Sequence, residues 1–264
     1  MFRPGRPTAP GNDEVILVDG APGAVPGDDA GLLSGLAVFE ALRTYQGQPF
    51  RLGAHLARLR ASATWFGISV PADAVLSREV DDVIGDSSSE WVIVVILTES
   101  GRRVVRSSPV DPSRAGSPIR LATIPFEAPP WLPGWVKHTN RAGWLLAARQ
   151  RGVDEVLLVG SDGTWTEANR SNILAVRDGV LHTPPVDGRI LDGVTRRVLL
   201  ECAAAGGIPV AETPLAPGSW DELYVCSTLK ELAPVVELDG IPAAGAGPVG
   251  GGLHALFRHL TEDR

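Results

Sequence analysis

The sequence predicts a mixed α/β (α+β) protein made of two domains, and three observations carry this prediction. Residues 91–97 form an apolar, β-branched run of the kind found in a central strand. Apolar side chains between residues 52 and 66 recur at steps of three and four, which is the period of an amphipathic helix. A proline-rich crossing at residues 125–133 separates two such mixtures of strands and helices, and it is the candidate interdomain linker.

The first half begins and ends with extended segments. In chain order, strands are expected over residues 15–18, 39–45, 91–97 and 120–124, with a hairpin turn at residues 46–48. One helix is expected between the second and third strands, because the apolar positions from Leu52 to Phe66 share one face. Gly67 then ends that helix.

The second half alternates helices with short strands. Helices are expected over residues 139–151, 195–205 and 253–260, and strands over residues 155–159, 173–176, 180–183 and 221–226. Asp178 and Gly179 predict a tight turn between two of the strands. The glycine-rich residues 243–252 are expected to be a mobile loop, because no Lys-Ser or Lys-Thr pair follows that would make them a phosphate loop. The predicted domains are residues 1–123 and 135–264, joined by a linker at 124–134.

Composition excludes several classes of protein. The 264 residues carry a net charge of −7 and a pI near 5.3, which gives no basic surface for nucleic acid. The two cysteines lie in apolar contexts and predict buried thiols rather than a disulfide framework. The start lacks the apolar core of a signal peptide, and the longest apolar run is too short for a bilayer. A soluble cytoplasmic protein is therefore expected. The five histidines form no ligand-like cluster, so no metal site is expected.

Two residues point to cofactor chemistry. Lys137 precedes a helix-like run, and Glu167 lies between two strand-like runs. A lysine that can lose its proton can form a Schiff base with an aldehyde cofactor. A carboxylate beside a pyridine nitrogen keeps that ring protonated, so that the ring accepts electrons from a substrate. Taken alone, however, the two residues are more often a solvated lysine and an exposed turn carboxylate, so their sequence context has to decide.

Six segments of the sequence supply that context. They are residues 38–43, 55–59, 137–140, 166–173, 190–196 and 227–231. In this order they resemble the class IV aminotransferases, the fold-type IV family of pyridoxal-phosphate enzymes, which includes D-amino-acid and branched-chain aminotransferases and aminodeoxychorismate lyase. The resemblance implies a small N-terminal α/β domain, a larger C-terminal domain, pyridoxal 5'-phosphate at their interface and a homodimer. It implies that Lys137 is the Schiff-base residue and proton shuttle, and that Glu167 contacts the pyridine nitrogen.

The cofactor phosphate needs a concentration of donors. A doubly charged anion suits a helix N-terminus, and the amides of Val194 and Thr195, with the Thr195 hydroxyl, stand at the start of a predicted helix. Ser227 and Thr228 follow a predicted strand and are expected to form a second nest of amides. Arg58 is expected to supply the countercharge, because a guanidinium matches phosphate geometry.

The substrate side departs from the family pattern. Phe39 stands where some members carry tyrosine, so a hydroxyl that could bind a substrate carboxylate is lost. D-amino-acid aminotransferases carry an Arg-x-His carboxylate trap after the central strand, and that motif is absent here. Arg102, Arg103 and Arg106 are expected either to replace it or to form a solvated basic loop. Leu229 is also expected to line the substrate site.

The expected reaction follows from these departures. Aminodeoxychorismate lyases usually carry a threonine where this chain has Ala41, so transamination ranks above the lyase reaction. The first expectation is transfer from a D-amino acid, such as D-alanine or D-glutamate, to a 2-oxo acid such as 2-oxoglutarate. The lyase reaction, branched-chain L-amino acids and (R)-amines are the alternatives. A non-enzymatic remnant of the fold is a remote one, because Lys137 and Glu167 are both present.

Overall fold

The computed structural model describes residues 14–86 and 88–262, which divide into two compact units. The first unit comprises the described residues up to Asp111 together with Val136–Asn140, and the second comprises Pro112–Trp135 and the residues from Arg141 onward. Each unit combines helices with strands, which confirms the predicted mixed α/β fold. Within the described ranges, no helix is both long and apolar enough to cross a membrane.

The first unit is built on a six-stranded sheet. Its elements are β1 (Val15–Val18), β2 (Ala21–Pro22), α1 (Ala30–Ser34), β3 (Ala37–Tyr45), β4 (Gln48–Pro49), α2 (Leu52–Phe66), α3 (Asp73–Ile84), β5 (Trp91–Thr98) and β6 (Arg103–Pro109). The strand order is β2-β1-β6-β5-β3-β4, so the predicted central strand is interior. Helix α2 packs on β3, and their shared core includes Val38, Leu42, Leu56 and Leu59. Helix α2 ends at Gly67, as predicted.

The second unit is built on a nine-stranded sheet. Its elements are β7 (Ile119–Pro125), α4 (Ala142–Arg151), β8 (Glu155–Val159), β9 (Trp165–Ala168), β10 (Ser171–Arg177), β11 (Val180–Thr183), α5 (Val194–Ala205), β12 (Val210–Glu212), β13 (Glu222–Ser227), β14 (Glu231–Leu238), β15 (Ile241–Pro242) and α6 (Pro248–Glu262). Among the described strands, the pairings β10-β13-β14-β7-β8-β9-β10 close a ring. Alternate side chains from all the strands of the ring, including Leu121, Leu157, Trp165, Ile173, Val225 and Ala233, form one buried cluster that fills it.

Strand β7 belongs to the second sheet. It pairs in parallel with both β8 and β14, and its side chains Ile119 and Leu121 enter the cluster of the ring. The predicted domain limits of 1–123 and 135–264 therefore differ from the observed units at this strand. They also differ at Val136–Asn140, which is grouped with the first unit.

Two predicted helix starts were wrong. Helix α4 begins at Ala142 rather than near residue 139, because the preceding segment is extended and pairs with β3. Helix α6 begins at Pro248, within the glycine-rich stretch predicted to be a loop. The buried Glu222 carboxylate accepts hydrogen bonds from the amides of Val249 (2.9 Å) and Gly250 (2.7 Å), and this long-range cap stabilises a helical turn that glycine disfavours.

Candidate active site

Lys137 lies on a short segment, Val136–Asn140, that continues the sheet along the edge of β3. Val38 and His138 form an antiparallel bridge, and the Phe39 amide donates to the Lys137 carbonyl at 3.1 Å. Opposite residues of an antiparallel pair share a face, so Lys137 and Phe39 project together. The Lys137 Nζ accordingly lies 4.7 Å from the centroid of the Phe39 ring.

The segment is held at both of its ends. The Lys137 amide donates to Ser62 Oγ at 3.0 Å, and the Thr139 hydroxyl donates to the Gly35 carbonyl at 3.1 Å. Gly35 has a positive φ of 67°, and a Cβ there would lie 1.9 Å from Asn140 Oδ1. A side chain at position 35 would therefore displace the segment that carries Lys137.

The sequence contains two lysines, Lys137 and Lys230. The Lys230 ammonium forms an ion pair with Glu155, whose fully buried carboxylate also accepts from Ser171 Oγ at 3.0 Å. Withdrawing Lys230 would leave the buried charge of Glu155 with only Arg170, whose Nε lies 3.7 Å from Glu155 Oε1, and a weakened buried pair is unfavourable. Lys230 is thus committed to a structural ion pair, and Lys137 is the stronger candidate for covalent cofactor binding.

Arg58 is held by Glu40, a residue to which the sequence analysis assigned no role. Glu40 is fully buried on β3, and its carboxylate accepts from Arg58 Nε at 2.7 Å and Arg58 Nη2 at 2.8 Å. His55, one helical turn before Arg58 on α2, places its Nδ1 2.8 Å from Glu40 Oε2. The sequence contained a signal for this pair. Glu40 alternates with apolar residues on β3, and a carboxylate on an apolar face needs a cation, which Arg58 supplies from the buried side of α2.

The charge states of this cluster follow from its surroundings. Burial alone would raise the pKa of Glu40, but the charge and hydrogen bonds of Arg58, aided by His55, hold that pKa well below its usual range. Burial lowers the pKa of His55, and the positive charges of Arg58 and Lys137 lower it further against the pull of Glu40. His55 is therefore neutral at pH 7 and donates through Nδ1, since a carboxylate can only accept.

The Glu167 carboxylate accepts hydrogen bonds from one side-chain group and one backbone group. It lies directly opposite Asn172 in the β9–β10 pair, and its Oε2 accepts from Asn172 Nδ2 at 3.1 Å and from the Leu191 amide at 3.0 Å. The pairing of β8 with β9 contains a register shift, and both Trp165 and Ala168 point into the ring. Because neighbouring side chains alternate between the two faces, Glu167, next to Ala168, points to the outer face. Glu167 is half-buried there with a fixed carboxylate.

Asn172 lies beside the start of α5 and opposite the last buried residue of β13, the two places where phosphate donors were predicted. A Cβ on Gly193 would lie 1.9 Å from Asn172 Oδ1, so only glycine brings the start of α5 this close. Within the described residues no side chain caps α5, whose first positions, Val194 and Thr195, are buried. Strand β13 pairs its Cys226 with Asn172, so Ser227 follows directly. Uncapped amides beside a hydroxyl and a turn fit a phosphate group.

The described structure thus gathers the predicted residues into two sets. Phe39, Arg58 and Lys137 belong to the first unit. Glu167 and the predicted phosphate donors at the start of α5 and after β13 belong to the second. Thr228 and Leu229 are half-buried in the turn that joins β13 to β14. Burial raises the pKa of Cys226 to about 12, so the thiol before that turn stays neutral and adds no negative charge. Both cysteines are buried thiols and neither forms a disulfide, as predicted.

Position 41 bears on the lyase alternative. Side chains alternate along a strand, so Ala41 lies on the same face of β3 as Phe39. This is also the face shared with Lys137. A hydroxyl at position 41 would therefore project on the side of the Lys137 amine, and alanine provides none.

The three arginines expected to bind a substrate carboxylate are paired within the chain. Arg102 Nη1 lies 2.9 Å from Asp19 Oδ2, and Arg106 Nη1 lies 2.9 Å from Glu14 Oε1. Arg103 Nη2 donates to Glu79 Oε1 at 2.9 Å. Arg103 and Arg106 also lie on β6 rather than in a loop. The carboxylate role stays a prediction, and these ion pairs count against it.

Arg103→Ala is expected to act on stability rather than on recognition. The Glu79 side chain is 2% exposed, so the variant leaves a buried carboxylate without its cation. The free energy of unfolding should fall by about 2–3 kcal/mol, measured by denaturant titration. Arg106→Ala is the matched control, because its exposed pair contributes at most about 1 kcal/mol. A loss of amino-acid binding in either variant, with (R)-phenylethylamine unaffected, would instead support a carboxylate receptor on β6.

Comparison with known proteins agrees with this geometry. The sequence pattern of the family Amino-transferase class IV matches residues 37–238. A Methanocaldococcus jannaschii protein, provisionally named a branched-chain-amino-acid aminotransferase, is 35% identical over 242 residues, covering 80% of this chain and 82% of that protein. The D-alanine aminotransferase of Listeria monocytogenes is 30% identical over 273 residues, covering 91% and 92%. The branched-chain aminotransferase of Thermoproteus uzoniensis, crystallised with norvaline, has a TM-score of 0.84 at 25% identity, covering 93% of this chain and 94% of that chain.

The family match covers most of the chain, and the two relatives are similar over four fifths or more of it. The matched range contains Glu40, Arg58, Lys137, Glu167 and the start of α5. The chain belongs to the class IV aminotransferases, a family of enzymes whose cofactor is pyridoxal phosphate.

Proposed function

We propose that Lys137 is the residue through which this enzyme transfers an amino group from an amino acid to a 2-oxo acid. The observation that carries the proposal is the fixed position of Lys137 opposite Phe39, in a sequence whose other lysine is paired with a buried carboxylate. When bound, pyridoxal phosphate supplies the aldehyde that takes up the amino group and a ring that accepts electrons. The Lys137 amine would accept the α-proton of the substrate and hold it for return, as the general base and acid of the site.

The remaining site residues hold the cofactor in this proposal. Glu167 keeps a proton on the pyridine nitrogen through its negative charge, and the hydrogen bonds from Asn172 and Leu191 hold its carboxylate still. The phosphate is bound by the amides of Val194 and Thr195, as an anion at a helix N-terminus.

Arg58 adds a positive charge to the proposed phosphate site, and Ser227 and Thr228 add hydroxyl and amide donors. Phe39 and Leu229 form apolar walls for the substrate.

For the substrate, we propose a D-amino acid with a small apolar side chain, D-alanine first. D-alanine aminotransferases are among the relatives that align with about nine tenths of the chain. The apolar ring of Phe39 beside the Lys137 amine suits a small apolar side chain.

Branched-chain L-amino acids are the second candidate. The M. jannaschii relative, at 35% identity, and the T. uzoniensis structure favour it. Stereochemistry depends on which side of the reacting carbon the substrate carboxylate occupies. The ion pairs of Arg102, Arg103 and Arg106 count against the residues that were expected to fix that side.

Half-reactions test the substrate proposal. The holoenzyme is mixed with D-alanine, L-leucine or (R)-phenylethylamine, and the loss of the cofactor absorbance band is followed without an acceptor. D-alanine should react fastest, and 2-oxoglutarate should then restore the band. A faster reaction with L-leucine would assign the branched-chain activity instead. Release of pyruvate from aminodeoxychorismate would restore the lyase alternative.

We also propose that the enzyme is a homodimer that acts in the cytoplasm. Helix α4 buries only Ala148 among its residues, and Leu145 and Leu146 are 41% and 49% exposed on the face they share with Ala142 and Arg149. Burying the exposed parts of these two leucines, together about the surface of one leucine, against a second copy of the chain would stabilise association by about 1.5–3 kcal/mol.

Leu146→Glu is therefore expected to shift the protein from dimer to monomer, measured as molar mass by light scattering. Ile241→Glu is the control, because Ile241 is also exposed, at 68%, but lies on β15. An unchanged dimer in the Leu146 variant would place the interface elsewhere, and a monomeric parent protein would remove the proposal.

A further inference from the structure

We infer that Glu40, braced by His55, is a positioning residue that sets the guanidinium of Arg58 for the cofactor phosphate. The inference rests on the phosphate role proposed for Arg58, and it extends that role to two buried side chains behind it. Neither Glu40 nor His55 is assigned a contact with the substrate or the cofactor.

The fold places Glu40 behind Arg58 rather than beside the reacting amine. Alternation along β3 puts Glu40 on the face with Val38 and Leu42, which α2 covers. His55 and Arg58 are three residues apart on α2, so both reach the same carboxylate from one face of the helix. Phe39 lies on the other face of the strand, with Lys137.

Stability alone does not explain a charged pair at this position. Glu40 is fully buried, and the Arg58 side chain is only 10% exposed. Replacing a buried ion pair with apolar side chains of similar volume is often neutral or stabilising, because the charges lose their water. An apolar contact would therefore join α2 to β3 as well as this pair does. What the pair adds is a defined orientation.

That orientation follows from the pattern of hydrogen bonds. A guanidinium is planar and carries five N–H groups, and Glu40 engages two of them along one edge. This bidentate contact fixes the plane of the Arg58 group. The His55 donor reaches the same Glu40 oxygen, Oε2, that accepts from Nη2, and so keeps the carboxylate from rotating. A guanidinium fixed in advance loses less conformational freedom when it binds a ligand.

The negative charge of Glu40 provides a sharp test, because it opposes the attraction of Arg58 for phosphate. If Glu40 mainly neutralises Arg58, Glu40→Gln should tighten phosphate binding. If Glu40 positions Arg58, the same variant should weaken phosphate binding. A glutamine amide has one acceptor oxygen, so it cannot accept from both Arg58 nitrogens through separate atoms as the carboxylate does. The two explanations predict changes of opposite sign.

The experiment compares two forms of the cofactor. Dissociation constants of pyridoxal phosphate and of pyridoxal, which lacks the phosphate, are measured by titrating the cofactor-free full-length protein. Glu40→Gln is expected to weaken pyridoxal phosphate about 10- to 100-fold and to leave pyridoxal unchanged. Arg58→Ala should show the same selectivity, and the double variant should lose no more than Arg58→Ala alone.

Two further variants complete the experiment: one is a control for removing a buried carboxylate, and the other tests the same inference without changing Glu40. Glu79→Gln removes another buried carboxylate that pairs with an arginine in the same unit, and it should change neither dissociation constant. His55→Phe keeps a ring of similar size but removes the brace, and it should weaken pyridoxal phosphate alone by about 3- to 10-fold. It decides the question if Glu40→Gln fails to fold.

The outcomes separate the inference from the function it rests on. If Arg58→Ala leaves the affinity for pyridoxal phosphate unchanged, the phosphate role of Arg58 fails, and the inference fails with it. If Arg58→Ala weakens it but Glu40→Gln and His55→Phe do not, only the positioning role is overturned. Equal losses for pyridoxal phosphate and pyridoxal in the Glu40 and His55 variants would reduce these residues to a purely structural role.

Discussion

Lys137→Ala is expected to abolish transamination and to leave the protein folded. In the proposed function, the variant removes both the amine that binds the cofactor and the group that carries the α-proton. Proton transfer by a positioned side chain contributes about 10²–10⁴-fold to the rate of such reactions. The turnover rate of the variant should therefore fall by at least this factor. Steady-state rates and single-turnover half-reactions with D-alanine measure the loss.

The fold should tolerate this change because the backbone, not the side chain, holds the segment. The bonds to Phe39 and Ser62 involve the Lys137 carbonyl and amide, which alanine retains. Thermal unfolding of the cofactor-free variant should therefore match that of the parent. Lys230→Arg is the matched control, since it removes the other lysine but keeps a cation for Glu155. If the Lys230 variant loses activity and the Lys137 variant keeps it, the assignment is wrong.

Glu167→Gln is expected to bind cofactor and to react about 10²–10³-fold more slowly, as for the loss of one strong electrostatic contact in a dry site. The amide oxygen of glutamine can still accept from Asn172 and from the Leu191 amide, so the geometry around position 167 is kept. Only the negative charge is lost. Single-turnover rates of the half-reaction isolate this effect from substrate binding and product release.

The control for this variant is Glu201→Gln, which removes an exposed carboxylate from α5 in the same unit. Its half-reaction rate should equal that of the parent enzyme. A near-normal rate in the Glu167 variant would show that the carboxylate lies away from the cofactor ring, and the proposed role of Glu167 would then be given up.

The sequence predicted the helices and turns that depend on residues close to one another in the chain. The apolar period from Leu52 to Phe66 and the glycine that follows define α2, because a helix face and a left-handed cap residue are both local features. The Asp178-Gly179 turn follows in the same way, since both residues adopt positive φ.

Tertiary contacts decided the elements that were missed. Residues 139 and 140 resemble the start of a helix. However, the bridge between His138 and Val38 and the hydrogen bond from the Thr139 amide to the Ala37 carbonyl hold the segment against β3, and these contacts join positions about a hundred residues apart. The first turn of α6 forms because Glu222 caps it from β13.

The arginines after β5 resembled an anion-binding loop for a similar reason. Their carboxylate partners, Asp19 and Glu79 among them, lie far away in the sequence. Glu40 was within reach of sequence analysis, because its apolar neighbours on β3 left it needing a cation from α2.

Borohydride reduction of the holoenzyme tests the central claim most directly, because it converts the bond between lysine and cofactor into a permanent one. With only two lysines in the sequence, digestion and mass spectrometry of the peptides give a clear answer. We expect the cofactor mass on the peptide that contains Lys137 and none on the peptide that contains Lys230. The label on Lys230, or its absence from both peptides of an active and coloured enzyme, would contradict the account.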